Sequence, residues 1–261
     1  MEILGYHHSS ERNLNQKDYP IHLHGNYELL YFINGNVQFS VEGKNYKLRK
    51  GDFVLTRKSE SHHVIFNSNT EYERIVISFD FNSDLDPYEL LKPFNDRNLG
   101  EMCKYKSSEF NTTTYKNCFY AIAGTKDKEK QKAYLTVLLY ETNEAFRQKL
   151  LNQNSNVDNY DKSYEIIKYV NSHLYEDISL ESISKNFYLS RSQLNRVFKK
   201  ATGLSVWEYV KSKRLLNARD LIIHGQKPTA VSEKCGFKDY VSFYKAYKAK
   251  FGHSPKKDGI N

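Results

Sequence analysis

Long apolar runs are missing from this chain of 261 residues. No stretch of 18 or more apolar residues occurs, so no membrane-spanning helix is expected. The start, Met-Glu-Ile-Leu-Gly-Tyr-His-His, lacks a basic segment followed by an apolar one. That pattern is not a secretory signal, and it points to a cytoplasmic protein. Cysteine is sparse: Cys103, Cys118 and Cys235 are far apart and odd in number. They make neither a disulfide framework nor a zinc-finger spacing. No phosphate loop and no nucleophile–base constellation stands out, so no enzymatic activity is expected. Tryptophan occurs once, against 21 Tyr and 15 Phe. A chain this rich in large rings is not disordered, and its length suits one large domain or two ordinary ones.

The first half also lacks a net charge. Residues 1–150 hold 20 Lys and Arg against 20 Asp and Glu, whereas residues 151–261 hold 19 against 11. The whole excess of +8 therefore sits in the C-terminal part. A neutral half joined to a basic half suggests that one half meets a polyanion, and nucleic acid is the obvious candidate.

Residues 20–80 read as strands. Glu28–Ile33, Val37–Val41, Phe53–Leu55 and Ile75–Phe79 are β-rich runs, separated by turns at Asn34-Gly35, Glu42-Gly43 and Lys50-Gly51-Asp52. Asn34-Gly35 is a strong hairpin signal, because both residues tolerate positive φ. Several short strands between turns indicate an antiparallel sandwich or barrel. Residues 86–94, with Pro87, suit a short helix. Residues 131–150 are a firmer one, with Leu135, Leu138, Leu139, Thr142, Phe146 and Leu150 on one stripe. The stripe packs either on its own domain or on a second copy of the chain. An Asn-rich polar stretch, 152–159, reads as a linker.

From residue 162 the chain reads as all helix. Ser179 is a candidate N-cap, Gly203 a left-handed C-cap, Pro228 a first-turn proline and Asp239 another cap. Residues 179–202 and 229–251 each read as a short helix, a tight break and a second helix, which is a helix-turn-helix. Such units lay their second helix in the major groove of DNA. In the first, Leu194, Val197 and Phe198 point inward, while Arg191, Ser192, Asn195 and Arg196 face out. Arginine can pair with guanine and asparagine with adenine there. Lys199 and Lys200 lie further along, placed for phosphate. In the second unit, Phe243 and Tyr247 point inward and leave Tyr240, Val241, Ser242, Tyr244 and Lys245 outside. That less polar set is expected to give weaker base readout, with contact to thymine methyls open to it. Lys248 joins the phosphate candidates.

These residues resemble the DNA-binding domain of the AraC/XylS family of bacterial transcription regulators. The likeness runs through Leu189-Ser-Arg-Ser-Gln-Leu194-Asn-Arg196-Val-Phe198-Lys-Lys200-Ala-Thr-Gly203. It continues through Tyr209, Arg214, Leu215 and Ala218, and then through Gly236-Phe237 to Ser254-Pro255. Thr229–Cys235 departs from the family's usual Ile-Ala and Ala-Gly pairs, a packing substitution. The resemblance implies two helix-turn-helix units joined by a long helix and entering successive major grooves on one face of the duplex. It implies base contacts at Ser192, Asn195, Arg196, Tyr240, Val241, Ser242, Tyr244 and Lys245. Double-stranded DNA, RNA polymerase and a second copy of the chain are the implied macromolecular partners, and activation is the commoner mode of control.

In the neutral half, His22-x-His24-x3-Glu28, then Gly51-Asp52 and His62, resemble the two cupin motifs. Converging imidazoles and a carboxylate could hold a divalent metal, as in cupin dioxygenases and isomerases. Arg57-Lys58-Ser59, however, stands where cupins usually carry a Pro-x-Gly turn. The sensor domains of AraC-type regulators are cupins that bind an organic effector. On that reading His22, His24, Glu28 and His62 line an effector pocket, with aromatic walls suited to a sugar or similar polar ligand, and no metal or cofactor is required. His7, His8 and His63 are read as surface residues. The expected fold is therefore multi-domain α+β. A cupin-like antiparallel barrel occupies 1–82, a helical segment with a dimer contact 83–152, a linker 153–161 and an all-α DNA-binding domain 162–261.

Overall fold

The computed structural model describes residues 1–81, 89–151 and 162–259. The expected linker lies outside the described residues, as do residues 86–88 of the expected helix at 86–94, of which the described part holds one helical turn at Lys92–Asn95. Two compact units are present: Met1–Ile21 with Asn26–Asn159, and His22–Gly25 with Tyr160–Asn261. Among the described residues no helix is long and apolar enough to cross a membrane.

The first unit contains β1 (Glu2–Glu11), β2 (Tyr27–Asn34), β3 (Val37–Val41), β4 (Lys44–Lys47), β5 (Phe53–Thr56), β6 (His62–Phe66), β7 (Tyr72–Asp80) and β8 (Lys104–Tyr105). It also holds α1 (Lys92–Asn95), α2 (Thr112–Gly124) and α3 (Lys128–Leu151). The strands form two antiparallel sheets, a five-stranded one in the order β1-β7-β2-β5-β8 and a three-stranded one in the order β4-β3-β6. The expected barrel is therefore not closed.

Central strand β2 shows how the layers are built. Leu29 and Tyr31 join Phe53, Leu55, Ile75 and Ile77 in a core shared with Phe119 of α2 and Leu135, Leu138, Leu139 and Phe146 of α3. Leu30 and Phe32, on the opposite face, pack with Val37, Phe39, Val41 and Val64 of the smaller sheet. Side chains alternate along a strand, so a strand covered on both faces is apolar throughout. The α3 stripe is thus consumed inside its own unit, except that Leu150 is 46 % exposed.

The Asn34-Gly35 turn is not a hairpin. Strand β2 pairs with β5 and β7, while β3 pairs with β4 and β6. The turn instead carries the chain from one sheet to the other, and Gly35 has φ +135° there. The Glu42-Gly43 turn does close a hairpin between β3 and β4, with both residues at positive φ. Strand β1 carries little sequence signal, because it is an edge strand on β7 with a mostly polar sequence and no buried residue.

The second unit contains α4 (Lys162–Ser172), α5 (Leu180–Asn186), α6 (Arg191–Thr202), α7 (Val206–Ile223), α8 (Pro228–Lys234) and α9 (Tyr240–Phe251). Ser179, Ser190 and Ser205 each start a helix with a reciprocal capping box, and Asp239 caps α9. Gly203 and Gly252 end α6 and α9 in the left-handed conformation. There are two cores. Ile166, Ile167, Val170, Leu194, Phe198, Val206, Tyr209 and Val210 form the first. Leu215, Ala218, Ile222, Val231, Cys235, Phe243 and Tyr247 form the second. Helix α7 serves both, its N-terminal half the first and its C-terminal half the second.

Candidate functional site

Helices α5 and α6 form the first helix-turn-helix. Their turn holds Tyr188 at φ +52°, with its side chain 93 % exposed. Leu194 and Phe198 anchor α6 in the first core with no exposed surface. Periodicity then pushes Arg191, Ser192, Arg196, Lys199 and Lys200 outward, and all five are exposed. Asn195 is half-buried instead, and its Oδ1 accepts a 3.5 Å hydrogen bond from the Val206 amide at the start of α7. Arg191 donates to Glu181 Oε2 of α5 at 3.0 Å. Both side chains are more than half exposed, so this contact orients the guanidinium more than it stabilises the fold.

Helices α8 and α9 repeat the arrangement. Phe243 and Tyr247 are fully buried, and Tyr240, Val241 and Tyr244 are 37, 60 and 37 % exposed. Ser242, Lys245 and Lys248 share the exposed face. The Ser242 hydroxyl donates to Asp239 Oδ2 at 2.8 Å, and its amide donates to Asp239 Oδ1 at 2.7 Å. That amide bond, with the hydroxyl behind it, holds the Asp239 carboxyl below its ordinary range. The second outward face is thus mainly aromatic and apolar, with Ser242 and two lysines beside the rings, while the first is cationic and polar. Exposed guanidiniums are able to fork onto guanine edges, and an apolar face is able to meet thymine methyls.

The four expected effector residues are divided between the units. His22 and His24 lie in the short segment grouped with the second unit, their ring centroids 5.7 Å apart. Glu28 and His62 belong to the first unit and face each other from its two sheets, with His62 Nε2 3.6 Å from Glu28 Oε1. His62 Nδ1 lies 2.9 Å from the Glu60 carbonyl, and its ring stacks on Phe39. His7 and His8 are exposed, and His8 Nε2 is 2.9 Å from Glu73 Oε1. A separate cleft of about 330 Å³ lies between the start of β1 and the start of α3, lined by Met1, Glu2, Ile3, Lys128, Gln131 and Leu135.

Two features carry no signal in a single sequence. Arg97 and Glu60 form an ion pair with both side chains wholly buried. Arg214, prominent only as part of a motif, donates to three backbone carbonyls of the second unit. Neither residue's spacing in the sequence announces its partners.

The AraC-like ligand binding domain family matches residues 9–85, and a helix-turn-helix domain family matches residues 183–258. The HTH-type transcriptional activator RhaS of Citrobacter koseri is 23 % identical over 251 residues, which is 94 % of this chain and 89 % of that protein. The probable transcriptional regulator LumQ of Photobacterium leiognathi is 37 % identical over 91 residues, 34 % of this chain and 37 % of that protein. Among solved structures, the DNA-binding domain of AdpA in complex with a target DNA aligns at TM-score 0.36 and 25 % identity, covering 38 % of this chain and 89 % of that one. ToxT of Vibrio cholerae aligns at TM-score 0.38 and 14 % identity, covering 97 % of this chain and 95 % of that one.

Proposed function

We propose, for this chain, which belongs to the AraC family of transcription regulators, that it reads two short DNA boxes in successive major grooves and activates transcription in response to a small polar effector. The observation that carries the reading is the pair of outward helix faces. Arg191, Ser192 and Arg196 of α6, and Tyr240, Val241, Tyr244 and Lys245 of α9, stand exposed over fully buried anchors. Asn195 keeps its amide nitrogen for an adenine edge while its oxygen holds α7. Lys199, Lys200 and Lys248 supply phosphate contacts that fix register and carry no sequence information.

The chain acts in the cytoplasm, as a homodimer, with RNA polymerase as a further partner. Activation is favoured by likeness to a relative named as an activator. Tyr134 and Val137 of α3, 36 and 40 % exposed, suit burial against a second copy. His22, His24, Glu28 and His62 all fall within the ligand-binding family match and serve the effector, for which a sugar has the right chemistry.

Hydroxyl-radical footprinting of the full chain tests the DNA reading. The expected result is two protected patches on one face of the duplex, and protection spread around the whole duplex would contradict it. A thermal-shift series against pentoses and hexoses tests the effector. Concentration-dependent stabilisation is expected, and no shift with any sugar would remove that class.

A further inference from the structure

The two cores of the second unit meet at one polar waist. Along α7, Val210 is the last residue in the first core and Leu215 the first in the second. Arg214 lies between them. Its Nε donates to the Leu174 carbonyl at 2.7 Å and its Nη2 to the Glu176 carbonyl at 2.9 Å. Both acceptors lie just beyond α4, whose side chains pack in the first core. Its Nη1 donates to the Gly236 carbonyl at 2.5 Å, in the turn between α8 and α9. One guanidinium thus bridges the support of the first helix-turn-helix and the turn of the second.

Neighbouring contacts converge on the same place. Gly236 sits at φ +76°, and a Cβ there would lie 2.7 Å from the Tyr175 carbonyl oxygen and 3.0 Å from Arg214 Cζ. Asn217 of α7 donates to the Tyr175 hydroxyl. Lys238 pairs with Asp177 at 3.4 Å, an exposed contact that adds little by itself.

We propose that Arg214 is a positioning residue that sets the distance and rotation between the two recognition helices, and so fixes the spacing of the two DNA boxes the protein accepts. The inference rests on the two-box reading above. A long α-helix curves gently around what it packs on, so sharing one helix does not by itself fix the angle between two cores. A rigid planar fork holding carbonyls on both sides braces that angle, and charge-assisted bonds are the strong ones. One base pair inserted between the boxes turns the second groove by roughly 35° about the duplex axis. A braced pair of helices cannot follow that rotation, whereas an unbraced pair can.

The test uses the full chain and the duplex it retains most strongly from a randomised pool. Derivatives carry one or two base pairs inserted or deleted between the boxes, and one carries a single box. Wild type is expected to lose about tenfold or more in affinity per inserted base pair, the cost of twisting the DNA back. Arg214→Ala is expected to cut that loss to about threefold or less while binding the single box within about twofold of wild type. Arg214→Lys keeps the charge but reaches one carbonyl at a time, so it should fall between them. If Arg214→Ala does not fold, Arg214→Lys decides alone.

A variant that binds every duplex more weakly but keeps the wild-type spacing profile overturns the proposal, since a general structural role does just that. A steep wild-type profile unchanged in Arg214→Lys also overturns it, and leaves the two-box reading standing. A wild-type chain indifferent to spacing overturns both.

Discussion

Replacing Glu60 by Gln should cost the first unit about 3–5 kcal/mol, as expected when one partner of a buried ion pair is removed. Both Glu60 and Arg97 have fully buried side chains. The guanidinium meets the carboxylate as a fork, Nη1 to Oε1 and Nη2 to Oε2, each at 2.7 Å. The same carboxylate accepts from the Gly100 amide at 3.0 Å and the Arg57 amide at 2.9 Å. Glutamine keeps the volume but turns an NH2 group toward those donors and leaves Arg97 charged, buried and unpaired. The exposed pair Arg12–Glu71, at 3.1 Å with side chains 78 and 35 % accessible, is the control. Glu71→Gln should leave the urea midpoint close to that of wild type, because an exposed pair is screened by solvent. Urea unfolding followed by circular dichroism in the strand region measures both. The double variant Glu60→Gln/Arg97→Met should recover much of the loss, because neither charge is then stranded. A Glu60→Gln cost within about 1 kcal/mol, like that of a surface pair, would refute the reasoning.

Acid should act through the same group. Burial, the largest influence, raises the Glu60 carboxyl, but Arg97 and Arg57 more than offset it and leave it below the ordinary 4.5. A carboxyl with a depressed folded-state pKa contributes stability above its unfolded value and loses it as pH falls through the folded one. The difference in urea midpoint between wild type and Glu60→Gln should therefore shrink as pH drops below about 4.5, and a constant difference would contradict this. On a selected DNA site, Arg196→Ala should cost about 1–3 kcal/mol and relax preference at one base position, which a base-substitution series reads directly; an equal loss on random duplex would show no base readout. Lys199→Ala should weaken all sequences alike and lower the slope of log affinity against log salt by about one, and an unchanged slope would remove Lys199 from the phosphates.

Local chemistry made the second unit legible from sequence. Ser190, Gly203, Asp239 and Gly252 bound the two recognition helices, and each acts within four residues of itself. The buried anchors Leu194, Phe198, Phe243 and Tyr247 follow from helical spacing alone. The first unit was harder, because pairing across sheets is not local. Asn34-Gly35 has hairpin chemistry, but β2 before it finds its partners in the distant β5 and β7, among them Tyr31 with Ile75 and Leu30 with Val54, and β3 after it pairs with β4 and β6. Tertiary packing overrode the turn signal. Likewise, the α3 stripe looked equally fit for a second copy, and only the placement of Tyr31 and Phe119 beside it shows where it is spent. At the interface, Asn195 falls on the outward side by periodicity, yet its reach to Val206 depends on where α7 starts. Arg214 and Arg97 depend wholly on distant carbonyls and carboxylates, which no spacing records.

The central claim is that two helices of one chain read two boxes together. Selection from a fully randomised duplex pool by the full chain, followed by sequencing of the retained DNA, tests it most directly. The account predicts two enriched boxes with centres about 10 base pairs apart, one box favouring guanine and adenine edges and the other thymine methyls. Retention without any enriched sequence, lost evenly as salt rises, would mean that the basic half binds DNA only as a polyanion, and would contradict the account.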